Sequence, residues 1–463
     1  MHRFLISAAH KSSGKTTVSI GLVAALKARG LTVQPFKKGP DYIDPLWLGT
    51  AAGRACRNLD FYLSPHEEIH AQFAKSGWDA DVCLVEGNMG LYDGLDLEGA
   101  NSNAALAKLL DLPVVLVVDA RGMTRGIAPL ILGYQAFDRD LKFAGVVLNR
   151  LGGSRHESKL RAIIEHYTDL PVLGAIQEDK GMALVERHLG LMPANETHAA
   201  ERHIAEIAAR VAGQVDLDRL LEVSRTAVAL PRPQPYAIAG EAPLTIAVAR
   251  DAAFGFYYTD DIEALAAAGA KLAYFDTLRD AHLPACDGLV IGGGFPECFL
   301  DGLEANATLR TEILDAIEAG LPTYAECGGL MYLARSIAWK GQTRRMVGAI
   351  AGDVVMHDKP VGRGYVKLQP TADHPWHSGA DKPVIAAHEF HYSSIDNLPA
   401  DTAFAYDIKR GHGVDGKHDG IVYKNLLASY THLRATAGCD WPARFVRFVR
   451  RCRSTRENQR CSK

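Results

Sequence analysis

The chain has eight cysteines in 463 residues, and no two of them stand as C-x-x-C, so neither a zinc ribbon nor a disulfide framework is written into it. A reducing cytoplasm suits such cysteine usage, and there an isolated cysteine is either packing or chemistry. No apolar run is long enough to span a bilayer, and the opening "MHRFLISAAH" lacks the apolar core and cleavage site of a signal peptide, so no membrane partner is expected. Nor is there an excess of positive charge. With 51 Lys and Arg against 54 Asp and Glu, the formal net charge is −3, which argues against nucleic acid as a general partner. What remains, 48% hydrophobic and 23% charged residues, is ordinary globular composition. The length exceeds what one hydrophobic core holds, so two domains with connections are expected.

The first half alternates strand-like and helix-like stretches. "RFLISAA" (3–9), "LTVQPFK" (31–37), "DVCLVEG" (81–87), "PVVLVVDA" (113–120), "AGVVLNR" (144–150) and "PVLGAI" (171–176) are almost continuously apolar, as strands buried on both faces must be. Helical patterns, including a run from Lys15 to near Gly30, separate them and predict a parallel, doubly wound α/β domain over 1–230. "LPRPQP" (230–235) opens a linker expected over 231–243, because three prolines stiffen the chain and stop regular structure. A second α/β alternation over 244–440 begins with "TIAVARD" (245–251), "KLAYF" (271–275), "GLVIGGG" (288–294) and "LPTYAE" (321–326). The stretch 441–463 holds seven Arg and one Lys against one Glu, and is expected to be a solvated, frayed basic tail.

Two stretches carry chemistry. "ISAAHKSSGKTT" (6–17) lies between a predicted strand and a predicted helix, the context a phosphate loop requires. Such a loop wraps phosphates with backbone N–H groups and adds the helix dipole. Gly14 permits the close approach, Lys15 reaches the terminal phosphates, and the Thr16 hydroxyl can join an Mg²⁺ shell. Ala9 stands where the usual motif has its first glycine. Three acids can complete the site: Asp41 and Asp44 in "KKGPDYIDP" (37–45), and Glu86 at the end of a strand. Asp44 has a plainer alternative, shaping the turn before Pro45.

The second stretch is "TYAECGGLMYL" (323–333), where Cys327 follows a strand and opens a helix, the setting of a nucleophile elbow. Amides at a helix start favour negative charge on the sulfur. "GGGFPE" (292–297) can bring further amides to an oxyanion, and His432, after the strand-like "LASYTHLR" (427–434), is the candidate base. Each has a packing alternative when taken alone. "AHEFHYSS" (387–394) places His388 and His391 at i, i+3, which in a strand puts them on opposite faces and speaks against a shared metal. They are weighed as substrate-facing or interface residues against structural polar packing.

With "SSGKTT", "KKGPDYIDP", "VEGNMGLYDG", "GVVLNR", "GGGFPE", "YAECGGLMYL", "HEFHYS" and "DGIVYKNLLASYTHL" in place, the chain resembles the cobyrinic acid a,c-diamide synthase family over nearly its full length. The resemblance implies a dethiobiotin-synthetase-like ATP-binding domain followed by a class I glutamine amidotransferase domain. It implies ATP and Mg²⁺ as cofactors, with glutamine and a tetrapyrrole polycarboxylate as partners; a homodimer is left open. Carried onto this sequence, it implies ATP contacts at Gly14, Lys15, Thr16 and Thr17, with Asn149 near the adenine. Thr16, Asp41 and Glu86 are implied for Mg²⁺, Asp44 for substrate, and Cys327 with His432 for glutamine hydrolysis; His388 and His391 are placed beside the substrate by their own polar pattern. Other class I amidotransferases place a Glu two residues after the His, where this chain has Arg434, so the pair is a dyad or takes its third member from elsewhere. The expected reaction is amidation of the a- and c-side-chain carboxylates of cobyrinate or hydrogenobyrinate through an acyl phosphate. Sirohaem and nickel-sirohydrochlorin are rival substrates for the same chemistry. A non-catalytic P-loop regulatory ATPase is the rival of another class, and intact Cys327 and His432 argue against it.

Overall fold

The computed structural model describes residues 1–184, 186–187, 190–194, 200–226, 230–232, 244–376 and 383–461. The chain divides into two compact units, Met1–Gln234 and Pro235–Lys463. Most of the segment expected as a linker, residues 233–243, lies outside the described residues.

In the first unit the strands are β1 (His2–Ala8), β2 (Val33–Lys38), β3 (Arg57–Leu59), β4 (Val82–Glu86), β5 (Val114–Asp119), β6 (Phe143–Leu151) and β7 (Val172–Gln177). They form one sheet in the order β3-β2-β4-β1-β5-β6-β7, parallel throughout. Because successive side chains alternate between faces, each strand feeds two cores. Phe4, Ile6, Val115 and Val117 join the core on one face, while Leu5, Val114, Leu116 and Val118 join that on the other. The near-continuous apolar runs of the sequence follow from this double burial. With every strand pointing the same way, the carboxyl ends of β1, β2, β4 and β6 open onto one rim, where ligands bind in open parallel sheets. Two helices matter at that rim: α1 (Lys15–Ala28), directly after the phosphate loop, and α2 (Ile43–Ala52).

The second unit is built on a nine-stranded mixed sheet. Ala270–Phe275, Leu244–Ala249, Gly288–Ile291, Thr323–Glu326 and Leu426–Ser429 lie side by side and parallel. His418–Tyr423, Ala403–Arg410, Gly362–Pro370 and Ile385–His391 extend the sheet antiparallel. The expected α/β architecture is therefore observed in both units.

The basic tail differs from expectation. Trp441–Cys461 is a helix, and Trp441, Phe445 and Val449 are buried in the core that also holds Leu265. These three residues recur every four positions, a helical stripe that seven arginines obscure when the segment is read by charge alone. Among the described residues no helix is long and apolar enough to cross a membrane, and none of the described cysteines is in a disulfide.

Candidate functional site

The phosphate loop forms because β1 ends in a turn that only glycine closes without strain. Gly14 sits at φ 86°, and a Cβ there would lie 2.2 Å from Asn149 Nδ2. Asn149, near the end of β6, donates through that nitrogen to the Ser13 carbonyl at 2.9 Å, so it braces the loop from beneath. Lys15 and Thr16 open α1, Thr17 follows them half-buried, and Lys15 Nζ donates to the Met89 carbonyl at 2.7 Å. Burial and the nearby Lys37 charge lower the Lys15 pKa, against the pull of Glu86 and Asp44.

Beside the loop the acids gather on Lys37, a residue of the "KKGPDYIDP" stretch. Lys37 Nζ lies 2.5 Å from Asp44 Oδ2, 2.8 Å from Glu86 Oε1 and 3.9 Å from Asp41 Oδ2. The parallel pairing of β2 and β4 sets Lys37 opposite Glu86, which is why two charged residues can face each other inside a sheet. Burial disfavours the Lys37 ammonium, but Asp44 and Glu86 outweigh it and hold its pKa well above the usual range. Thr16 Oγ1 donates to Glu86 Oε1 at 2.8 Å and to Asp44 Oδ2 at 3.2 Å.

The turn role weighed for Asp44 falls to its neighbour. Asp41, not Asp44, makes the turn: its Oδ1 accepts the amides of Ile43 and Asp44 at 2.9 and 3.1 Å, starting α2. Asp44 then lies in the first turn of α2 with its carboxylate on Lys37 and Thr16. Burial and the Asp44 charge push Asp41 up to about 7, although its side chain keeps 34% of its surface. Burial likewise raises Glu86, which is fully enclosed.

Among the described residues no three His, Cys, Asp or Glu side chains are arranged to hold a metal by themselves. Mg²⁺ asks for less, one or two carboxylates beside phosphate oxygens and water. Glu86 Oε2 is buried with no hydrogen-bond partner among the described residues, next to the Thr16 hydroxyl and Asp44. That donor set fits Mg²⁺.

In the second unit Cys327 has φ 48° and ψ −102°, a backbone conformation a side-chain-bearing residue adopts only when its surroundings enforce it. Three contacts enforce it. The Cys327 amide donates to the Ser429 carbonyl at 2.7 Å, and the helix Gly328–Leu333 begins at once. Gly329 passes so close to the neighbouring strand that a Cβ would lie 2.1 Å from the Ile291 carbonyl oxygen. The "GGGFPE" turn meets the same helix start: the Gly294 amide nitrogen is 3.0 Å from where a Gly328 Cβ would stand.

His432 follows the strand paired with that of Cys327 and is buried. Burial would lower its pKa, but interactions with Cys327 and Glu326 raise it to about 10. His388 stacks on it, ring centroids 4.9 Å apart and planes 16° from parallel, while the two backbones exchange hydrogen bonds at 3.3 and 2.8 Å. Burial, then the His432 and Arg434 charges, drive the His388 pKa well below normal. His391 stacks instead on Tyr430 at 4.0 Å and its Nδ1 contacts the Ser393 carbonyl. The two histidines thus have separate surroundings. Glu326, quoted in the motif but given no role there, has Oε2 3.4 Å from His432 Nδ1. Its place directly before the cysteine was the only signal in the sequence.

Family models match both units: a "CobQ/CobB/MinD/ParA nucleotide binding domain" over residues 5–191 and a "CobB/CobQ-like glutamine amidotransferase domain" over 245–438. A phosphate-loop unit and a cysteine-elbow unit in one chain define a glutamine-dependent carbon–nitrogen ligase. A cobyrinate a,c-diamide synthase of Magnetococcus marinus is 46% identical, the match covering 97% of this chain and 97% of that protein. Proteins of the same name from Methanosarcina acetivorans and Listeria monocytogenes are 42% and 39% identical over 98% and 94% of this chain, and 96% of each of them. The chain belongs to the cobyrinate a,c-diamide synthase family.

Proposed function

We propose that the protein converts the a- and c-side-chain carboxylates of cobyrinate, or of its metal-free counterpart hydrogenobyrinate, to amides, using ATP and ammonia from glutamine. The observation that carries this reading is the similarity to cobyrinate a,c-diamide synthases over 97% of the chain, with a phosphate loop and a cysteine elbow both intact. A carboxylate is a poor acyl donor, so the first unit transfers the γ-phosphoryl group of ATP onto it, giving an acyl phosphate and ADP. The loop amides and Lys15 hold the phosphates and offset charge as the phosphoryl group moves. Thr16, Glu86 and Asp44 would hold Mg²⁺, which supplies a further counter-charge to the phosphates when bound. Asn149 keeps the loop in shape and is assigned to the adenine side.

In the second unit the Cys327 thiolate attacks the glutamine amide carbon. His432 gives a proton to the departing nitrogen, which leaves as ammonia, and water then cleaves the glutamyl thioester to glutamate. Ammonia displaces phosphate from the acyl phosphate, and the amide forms. His388, against His432, and His391, on Tyr430, are assigned to the pocket rather than to bond making.

The test is mass spectrometry of products from cobyrinic acid, hydrogenobyrinic acid and sirohaem, each with glutamine or with concentrated ammonia. Two added amides on either of the first two acids support the reading; amidation of sirohaem alone assigns the rival substrate. Cys327→Ala should stop synthesis from glutamine and leave synthesis from ammonia. Retained glutaminase activity in that variant would remove Cys327 as nucleophile.

A further inference from the structure

An imidazole that works on a thiol through one ring nitrogen needs a partner at the other, to fix the tautomer and support the imidazolium. Two residues beyond His432 stands Arg434, a cation, which pairs with Asp260 at 3.2 Å and lies 5.1 Å from the centre of the Tyr258 ring. Three other titratable groups belong to the surroundings of the imidazole. His388 is stacked on the ring and held neutral, so it adds no opposite charge. Asp261 is committed elsewhere, its two oxygens accepting the Ala435 amide at 2.6 Å and the Trp441 indole N–H at 3.2 Å, and burial pushes its pKa well above the usual carboxylate range. The third is Glu326, with Oε2 3.4 Å from Nδ1.

Its geometry is built for that contact. Thr323–Glu326 and Leu426–Ser429 run parallel with Glu326 opposite Ser429, so the segments that follow the two strands emerge side by side. Glu326 Oε1 is anchored by the Tyr324 hydroxyl at 2.5 Å and by the Leu433 amide at 2.9 Å. Tyr324 is two residues back on the same strand and Leu433 is the neighbour of His432. One carboxylate oxygen therefore fixes the backbone beside the histidine, and the other faces its ring.

We propose that Glu326, the residue before the nucleophile, is the positioning carboxylate of the glutaminase site, holding His432 with its Nδ1 proton toward Oε2 and its other nitrogen toward the sulfur. The proposal rests on the assignment of Cys327 and His432 to glutamine hydrolysis. The negative charge also supports the imidazolium that protonates the leaving nitrogen.

The experiment compares glutaminase kinetics of Glu326→Gln, Glu326→Asp and Cys327→Ala with wild type across pH. Glu326→Gln keeps an acceptor for Tyr324 and Leu433 but removes the charge. Its kcat should fall about tenfold to a hundredfold, with the glutamine KM within roughly twofold. The alkaline limb of kcat/KM, where the imidazolium loses its proton, should move down by about one pH unit. Glu326→Asp, which keeps the charge over a longer gap, should recover part of both. Equal losses in the two variants with an unmoved limb would make Glu326 a packing residue and overturn the proposal. Should Glu326→Gln not fold, Glu326→Asp alone is read: a small downward shift of the limb supports the proposal and no shift overturns it. If Cys327→Ala retains glutaminase activity, the site assignment itself fails; if Cys327→Ala is dead while Glu326→Gln matches wild type, only the positioning role fails.

Discussion

Replacing Lys37 with Met tests the electrostatics of the first unit, because the side chain keeps most of its length and loses the ammonium with its charge and donors. In the wild type this ammonium is the shared counter-ion of Asp44 and Glu86, which it meets at 2.5 and 2.8 Å, and Glu86 is wholly buried. Removing one partner of such a buried pair costs about 3–5 kcal/mol when the remaining charge cannot escape. Here it can escape by taking a proton, since burial already raises the Glu86 pKa. The folded variant then has a carboxyl pKa raised above its unfolded value. Its stability is complete below the unfolded carboxylate range and is lost as pH rises toward the folded pKa. For one extra proton bound in the folded state the slope is about 1.4 kcal/mol per pH unit. The wild-type cluster already contains raised carboxyls, Asp41 at about 7 and Glu86, so the informative quantity is the difference between variant and wild type. That difference should be small near about pH 4 and approach the full penalty near about pH 8. For a unit of 234 residues, a loss of that size lowers the midpoint by about 6–20 °C. Scanning calorimetry without nucleotide or divalent metal reads it directly. A difference below about 1 kcal/mol, or one that does not change with pH, would show that Lys37 is not the counter-ion of these acids.

Two further changes probe separate parts of the molecule. Asp44→Asn should lower synthesis with either nitrogen source by about tenfold or more while glutaminase activity survives, because its carboxylate lies on Lys37 and Thr16 and the turn is held by Asp41; near-normal turnover and unchanged Mg²⁺ dependence would return Asp44 to a structural role. Phe445→Ala should destabilise the second unit by about 3–5 kcal/mol, read by denaturant melting, since this fully buried ring belongs to its core; a neutral result would mean the Arg-rich helix is dispensable.

The sequence by itself determined the local chemistry and the order of the elements. Apolar runs bounded by glycine and proline marked six strands of the first sheet and the parallel strands of the second, because strands buried on two faces leave no other pattern, whereas the antiparallel strands of the second sheet were not marked this way. Gly14-Lys15-Thr16 after a strand and Cys327 after another were legible for the same reason: each motif needs its strand–turn–helix setting, and that setting is local. What distance in sequence separates was not legible. Lys37 reads as one of two adjacent lysines until the pairing of β2 with β4 places it opposite Glu86 and draws Asp44 onto it. Asp41 and Asp44 are equivalent as letters, and only the start of α2 decides which one caps and which one faces the cation. The C-terminal helix was hidden because its arginines dominate the composition, while its burial depends on a core supplied by distant strands. Glu326 meets His432 only because Thr323–Glu326 and Leu426–Ser429, a hundred residues apart, lie next to each other in parallel. Side-chain identity and local periodicity are written along the chain, but which charges share one buried volume is fixed by strand order and register.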